Sequence, residues 1–191
     1  MDAMTDDINS RYGLNPAHSE VVEACRIIPP CNALDMGCSN GRNAVYKSQH
    51  GFNVTAVDNN AGAIDMLRQI VNAEGISNID AQVYDINTAS VGSDYGFISC
   101  TVTLMFLDPA RIAAVISDMQ DHTLPDGYNL IVCAMSTEEY PCRLPFPFTL
   151  AAGQLRDIYQ GWELIKYNED LGTMHNGAQL QFATMLARKP G

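Results

Sequence analysis

Short, nearly unbroken apolar runs alternate along this chain with stretches whose apolar residues recur at helical spacing. "CNALDM", "NVTAVD", "AQVYD", "YGFISCTVTL" and "YNLIVCAM" are the strand-sized runs. Between them Val21, Ala24, Cys25 and Ile28 share one helical face, as do Ile64, Leu67 and Val71, and further on Ile112, Val115, Ile116 and Met119. Strands that are apolar on both sides need cover on both sides, and interleaved helices supply it. The pattern predicts an α/β fold with a mostly parallel sheet and helices on both faces. Crossovers in such sheets are right-handed, so the strand-to-helix loops gather at one edge, which is where ligands bind.

Turn and cap residues mark the boundaries. Asn15-Pro16 opens the first helix and Pro29-Pro30 ends it. The next helix runs from Arg42 to His50 and stops at Gly51, and a third closes at Gly75. Asp108-Pro109 caps a fourth, and "LPDGY" is a turn ahead of the fifth strand. A short helix near Ala151 to Tyr159 follows a proline- and aromatic-rich stretch, and "WELIKY" and "FATMLAR" close the chain as two more strands.

The first strand-turn-helix unit, "LDMGCSNGRNAV", is where a ligand is expected. Gly37 and Gly41 bracket its turn, and glycine serves where the backbone needs positive φ or a ligand must touch the main chain. The spacing is G-x-x-x-G with Ser39 at the centre, not the G-x-G-x-x-G that cradles a dinucleotide pyrophosphate. Asp35, two residues before the first glycine, repels pyrophosphate but suits an ammonium group. S-adenosyl-L-methionine carries an α-amino group and a sulfonium and has no phosphate. Asp58 ends the second strand, where an acid receives ribose hydroxyls in several cofactor classes, and Asp85 ends the third, where a carboxylate can accept from an adenine amino group. Three acids closing three successive strands favour adenosylmethionine.

Composition removes other classes. A net charge of -11 argues against a general nucleic-acid-binding face. No apolar run approaches the ~20 residues of a membrane-spanning helix, and "MDAMTDDINS" has the character of neither a signal nor a transit peptide, so a cytoplasmic protein is expected. The six cysteines form no CxxC pair and the four histidines give no ligand spacing, so buried, reduced thiols and no metal site are expected.

Several motifs together, "HSEVVEA", "LDMGCSNGRNAVY", "VYDIN", "TVTLMFL", "GYNLIVCAM", "YPCRLPFPF", "GWELIKYNED" and "FATMLARK", resemble the TehB-type tellurite-resistance methyltransferases from about Asn9 to Lys189. The resemblance implies a single-domain, Rossmann-like class I methyltransferase fold with a seven-stranded sheet. Residues 1–30 would then be an N-terminal cap segment and first helix, 31–135 the cofactor-binding core, and 136–191 the substrate-side loop and last strands. It implies that Asp35, Gly37 and Gly41 hold the methionine end of the cofactor, and Cys38, Asn40 and Arg42 of the same turn are also expected to bind cofactor. Asp58 and Asn59 fall at the ribose, Asp85 and Ile86 beside adenine, and Thr101 and Val102 along the cofactor cleft. The segment around Tyr12 and His18 folds over the cofactor, and His175 matches the histidine associated with the tellurite oxyanion. Two departures stand out: Ser39 replaces a central glycine, and "HNGAQLQF" after His175 contains no arginine, with Asn176 in the following position.

Methyl transfer is an in-line displacement, helped chiefly by holding the acceptor lone pair behind the carbon. Tellurium(IV) already has that lone pair, so no general base is obligatory; local positive charge is. Arg11, Arg42, Arg143, Arg156 and His175 are therefore of interest in so acidic a chain, and Arg143 in the long loop after the fifth strand is the preferred substrate residue beside His175. Arg42 reads equally as a surface residue. Phe146, Phe148 and Tyr140 either form a lid or pack the loop down, and Trp162 reads as packing. The reaction read here is methylation of a small acceptor, tellurite or a related chalcogen compound, with S-adenosyl-L-homocysteine as product. The alternatives are a thiol or metabolite methyltransferase, a noncatalytic adenosylmethionine-binding module and, less favoured, an NAD-dependent oxidoreductase.

Overall fold

A computed structural model describes residues 3–174 and 176–191. The strands are β1 (Asn32–Met36), β2 (Asn53–Asp58), β3 (Ile79–Val83), β4 (Tyr95–Thr101), β5 (Thr123–Ala134), β6 (Glu163–Thr173) and β7 (Gln179–Arg188). The helices are α1 (Ala3–Tyr12), α2 (Ser19–Ile27), α3 (Arg42–Gln49), α4 (Ala61–Glu74), α5 (Ile112–Asp121) and α6 (Gln154–Ile158). The seven strands follow the order β3-β2-β1-β4-β5-β7-β6, a mostly parallel α/β sheet. Two compact units divide the chain: Met1–Ile86 with Tyr95–Ser99, and Asn87–Asp94 with Cys100–Gly191. Among the described residues no helix is long and apolar enough to cross a membrane.

In the first unit β1 is parallel to both β2 and β4, and β2 is parallel to β3. The apolar residues of these strands are largely buried, and α4 packs Ile64, Leu67 and Ile70 into the same core. Each such aliphatic side chain stabilises by roughly 1.5–3 kcal/mol on burial. Asn60 caps α4 by accepting from the Ala63 N–H at 3.1 Å, and Gly75, at φ 64, ends it. Ile70, not Val71, completes its buried face, one residue away from the position read in the sequence.

The second unit is built on β7, which runs antiparallel to both β5 and β6. The β6–β7 ladder extends from Glu163↔Arg188 to Thr173↔Gln179, with an irregularity between Leu164 and Lys166. Ile112, Val115, Ile116 and Met119 are the buried side of α5, as their spacing predicts. A buried chain of hydrogen bonds links the elements: Tyr159 Oη donates to Asn129 Oδ1 at 2.7 Å, and Asn129 Nδ2 to Thr123 Oγ1 at 2.7 Å.

Several boundaries differ from the sequence reading. α1 has no counterpart in the sequence reading, since "MDAMTDDINS" is acidic and polar; in the structure Ile8 and Asn9 are buried while Asp7, Ser10 and Arg11 are exposed. α2 starts after His18, whose ring nitrogen takes the capping role in place of Asn15-Pro16. β3 stops at Val83, so Asp85 lies beyond the strand end. β4 ends at Thr101, where Val102 turns to φ 56. "LPDGY" lies within β5, accommodated by Asp126 at φ 62. β6 and β7 run well past "WELIKY" and "FATMLAR", because each completes the other's ladder.

Candidate active site

The turn after β1 is wound tightly. The N–H groups of Gly37 and Cys38 both donate to the Val57 carbonyl, at 2.8 and 2.9 Å, and the Gly41 N–H donates to Cys38 O at 2.9 Å. Three of its residues are left-handed: Gly37 (φ 74), Ser39 (φ 50) and Gly41 (φ 95). Ser39 therefore adopts, as a non-glycine residue, the backbone conformation that glycine takes without strain. Gly41 has a packing reason of its own: a Cβ there would lie 2.3 Å from Leu67 Cδ1 on α4.

Asp35 is not a rim residue. It is 1% exposed, and in its register it sits between Ala56 of β2 and Ser99 of β4. Ser99 Oγ donates to Asp35 Oδ1 at 3.1 Å, and Lys47 Nζ, on α3, lies 3.3 Å from the same oxygen. Lys47 is 0% exposed; it donates to Ser99 Oγ at 2.5 Å and stands 5.1 Å from the centre of the Phe97 ring. Asp35 Oδ2 is buried with no hydrogen-bond partner. Lys47 and Ser99 were missed in the sequence. The signal was present, since Lys47 lies between Ala44 and Ser48 on the buried side of α3.

The half-buried Asp58 ties two loops together. Its Oδ2 accepts from the Ser39 N–H and its Oδ1 from the Asn60 N–H, both at 2.9 Å. Asn59 beside it is exposed, Asp85 is exposed and Ile86 is buried. Because β1, β2 and β3 are parallel, Asp35, Asp58 and Asp85 belong to the same sheet edge, at three different depths.

The N-terminal segment is fastened to α3. Asn43 Oδ1 accepts the His18 backbone N–H at 2.9 Å, and Arg42 Nη1 donates to Pro16 O at 3.2 Å. His18 Nδ1 accepts from the Glu20 N–H at 3.2 Å, so its neutral ring carries the proton on Nε2. Burial, assisted by Arg42, holds its pKa below the usual range. Tyr12 Oη donates to Glu74 Oε1 at 2.8 Å, at the end of α4 opposite the Asn60 cap. Asn40 lies within the turn, half-buried, and the Cys38 thiol is raised by burial.

In the second unit Thr101 is buried, and the Val102 N–H donates to Val132 O at 2.7 Å. A β-branched residue at positive φ is costly, about 1–3 kcal/mol, and such strain concentrates at functional positions. Arg143 is exposed and makes no hydrogen bond or ion pair among the described residues. The loop that carries it is folded on itself: Ser136 N–H donates to Leu150 O at 2.9 Å, Cys142 N–H to Ser136 Oγ at 3.0 Å, and Phe148 N–H to Met105 O at 3.3 Å. Phe146 meets Phe106 edge-on at 5.3 Å, and Phe106 is 60% exposed. Trp162 packs on Tyr159 at 5.1 Å, a packing role. His175 lies outside the described residues; Asn176 Oδ1 accepts from the Ala178 N–H at 3.0 Å. Burial pushes the Cys25 and Cys133 thiols up to about 11 and about 12, so both remain protonated near neutral pH.

These residues fit an adenosyl cofactor better than a dinucleotide. An unpartnered buried carboxylate oxygen suits an ammonium donor, and Asp58 keeps lone pairs for hydroxyl donors after serving two backbone N–H groups.

Comparison with known proteins agrees. The profile of the family described as "Tellurite resistance protein TehB" matches residues 3–186. A Haemophilus influenzae (strain 10810) relative named "Probable S-adenosyl-L-methionine-dependent methyltransferase TehB" is 44% identical over 190 residues, covering 96% of this chain and 66% of the relative. The crystal structure of TehB from Haemophilus influenzae superposes with a TM-score of 0.92 at 44% identity, over 97% of this chain and 66% of that one. The chain thus spans about two thirds of the length of these relatives. The N-methyltransferase NodS from Bradyrhizobium japonicum WM9, in complex with S-adenosyl-L-homocysteine, shares the fold with a TM-score of 0.75 at 17% identity, over 91% of this chain and 86% of that one.

Proposed function

Since the chain belongs to the TehB family, we propose that it is an S-adenosyl-L-methionine-dependent methyltransferase whose acceptor is a small chalcogen oxyanion, tellurite first. The observation that carries the cofactor half of this reading is Asp35: a carboxylate buried at the switch-point edge with one oxygen unpartnered. That oxygen is assigned to the cofactor's ammonium, with the Gly37–Gly41 turn along the methionine end. Asp58 and Asn59 take the ribose hydroxyls, and Asp85 with Ile86 the adenine. His18, held on α3 by Asn43, belongs to the covering segment, whereas Tyr12, bonded to Glu74 at the far end of α4, falls outside the site. When bound, the cofactor supplies a methyl group on a positively charged sulfur.

The methyl group would pass to the tellurium lone pair with the carbon–sulfur bonding electrons left on sulfur, and no proton need leave a tellurite acceptor for this. The protein's task is alignment, water exclusion and placement of positive charge. Arg143 and His175 are the residues proposed for the oxyanion. Arg143 is an exposed guanidinium without a partner among the described residues, in a chain of net charge -11.

A second acceptor class, a small thiol, is favoured by one observation: no arginine occurs between His175 and Phe182. The test supplies methyl-labelled cofactor with tellurite, selenite or small thiols in parallel. Label in a methylated tellurium product, with equal S-adenosyl-L-homocysteine formed, is expected. Label transfer to thiols alone would replace tellurite with the second class, and transfer to none would remove the enzymatic reading.

A further inference from the structure

α3 directs a lysine into the core directly behind the proposed cofactor acid. Lys47 is fully buried, and its Nζ lies 2.5 Å from Ser99 Oγ, 3.3 Å from Asp35 Oδ1 and 5.1 Å from the centre of the Phe97 ring. Ser99 relays the contact, accepting from Lys47 and donating to Asp35 Oδ1 at 3.1 Å. Lys47 and Ser99 thus converge on one carboxylate oxygen, Oδ1. The other, Oδ2, is buried and without a partner.

An isolated buried carboxylate gains a proton in preference to remaining charged, because desolvation penalises the ion. A protonated Asp35 would meet a ligand ammonium as a weak acceptor and would have to shed its proton first. A lysine alongside removes that penalty without using the oxygen the ligand needs. We propose that Lys47 is a positioning residue for cofactor binding: as the internal counter-ion of Asp35 it pins Oδ1 through Ser99 and keeps the carboxylate charged, presenting Oδ2 as a fixed, ionised acceptor for a cationic ligand group. This rests on the assignment of Asp35 to the cofactor ammonium. Lys47 itself touches no ligand. Its effect is to make binding proton-neutral.

Other groups facing the pair do not imitate it. The thiols that feel Asp35, Cys25 on α2 and Cys38 in the turn, are raised by burial, as is Cys31, which feels Lys47. All three stay neutral between pH 6 and 8. His18 titrates below the usual histidine range, and comparing variants in the same pH series cancels its contribution.

The experiment is titration calorimetry with S-adenosyl-L-homocysteine and with methylthioadenosine, which lacks the amino-acid end, from pH 5.5 to 8.5. In the unmodified protein, binding of S-adenosyl-L-homocysteine at pH 7.5 should give the same proton count, near zero, in buffers of different ionisation enthalpy. Release approaching one proton would overturn the proposal without any variant. In Lys47→Met, affinity for S-adenosyl-L-homocysteine should gain a pH dependence absent from the parent, approaching tenfold per unit at the acid end, with up to one proton released. Methylthioadenosine should show no such change. A Lys47→Met profile parallel to the parent's, or equal changes for both ligands, overturns the counter-ion role. Asp35→Asn separates this failure from the deeper one. If that variant keeps the parent's preference for S-adenosyl-L-homocysteine over methylthioadenosine, the Asp35 assignment itself is wrong.

Discussion

Replacing Gly41 with alanine asks whether the last glycine of the turn is there for the chain itself. Its φ of 95 lies in the region L side chains rarely adopt, a cost of about 1–2 kcal/mol. The added Cβ would lie 2.3 Å from Leu67 Cδ1 and 3.0 Å from Cδ2, so a fully buried leucine must leave its place, and overpacking of this kind costs about 1–3 kcal/mol. Loss of glycine's freedom in the unfolded chain returns roughly 0.4–1 kcal/mol. Gly41→Ala should therefore destabilise by about 1–4.5 kcal/mol, measured as a lowered urea midpoint at unchanged slope. Leu67→Ala alone should cost about 2–5 kcal/mol through its cavity. The double variant should be less destabilised than the sum by roughly 1–3 kcal/mol, because the truncated side chain admits the new methyl group. A loss under about 1 kcal/mol for Gly41→Ala, or strict additivity with Leu67→Ala, would refute the packing argument.

Other perturbations address the site. Asp58→Ala removes an acceptor that holds the Ser39 and Asn60 N–H groups, and should weaken S-adenosyl-L-homocysteine binding by more than ~1 kcal/mol in calorimetry; unchanged affinity would remove Asp58 from the ribose site. His18 has its pKa lowered, mainly by burial, so below about pH 6.5 the unfolded chain binds more protons than the folded one. Its contribution is complete above that pH and is lost as pH falls through the folded value. His18→Asn, which keeps a capping side chain, should flatten this part of the stability profile in urea titrations at stepped pH. Arg143→Gln should raise KM for an oxyanion acceptor about tenfold, the worth of a charge-assisted hydrogen bond, with KM for the cofactor unchanged; equal KM values would return Arg143 to the surface.

How far the sequence could be read follows from what each residue is asked to do. Runs such as "NVTAVD" are buried on both faces, so composition alone announces them, and β2 starts and stops where that run does. Asp35 and Asp58 were visible because acids at strand ends are conspicuous against apolar residues. Depth was not visible. Nothing in "LDMG" says that Asp35 is covered by Lys47, because a lysine is read by default as a surface residue and its partner is 12 positions away. "AQVYD" continues the β pattern to Asp85, whereas the ladder to β2 gives out at Val83. The lengths of β6 and β7 were hidden for a related reason. "NEDLGT" is polar, and it becomes strand by pairing with residues 179–184, a long-range term that local propensity does not contain. The α2 cap is another such case: His18 is fixed from outside by Asn43, while Asn15-Pro16 only resembles a start signal.

The turn after β1, with its buried acid, is proposed to receive a positively charged cofactor lacking phosphate. Calorimetric titration of the unmodified protein with S-adenosyl-L-homocysteine and, separately, NADH at matched concentration addresses it most directly. Saturable binding of S-adenosyl-L-homocysteine at one site, with no heat from NADH beyond dilution, is the expected result. NADH binding as tight as or tighter than S-adenosyl-L-homocysteine would contradict it.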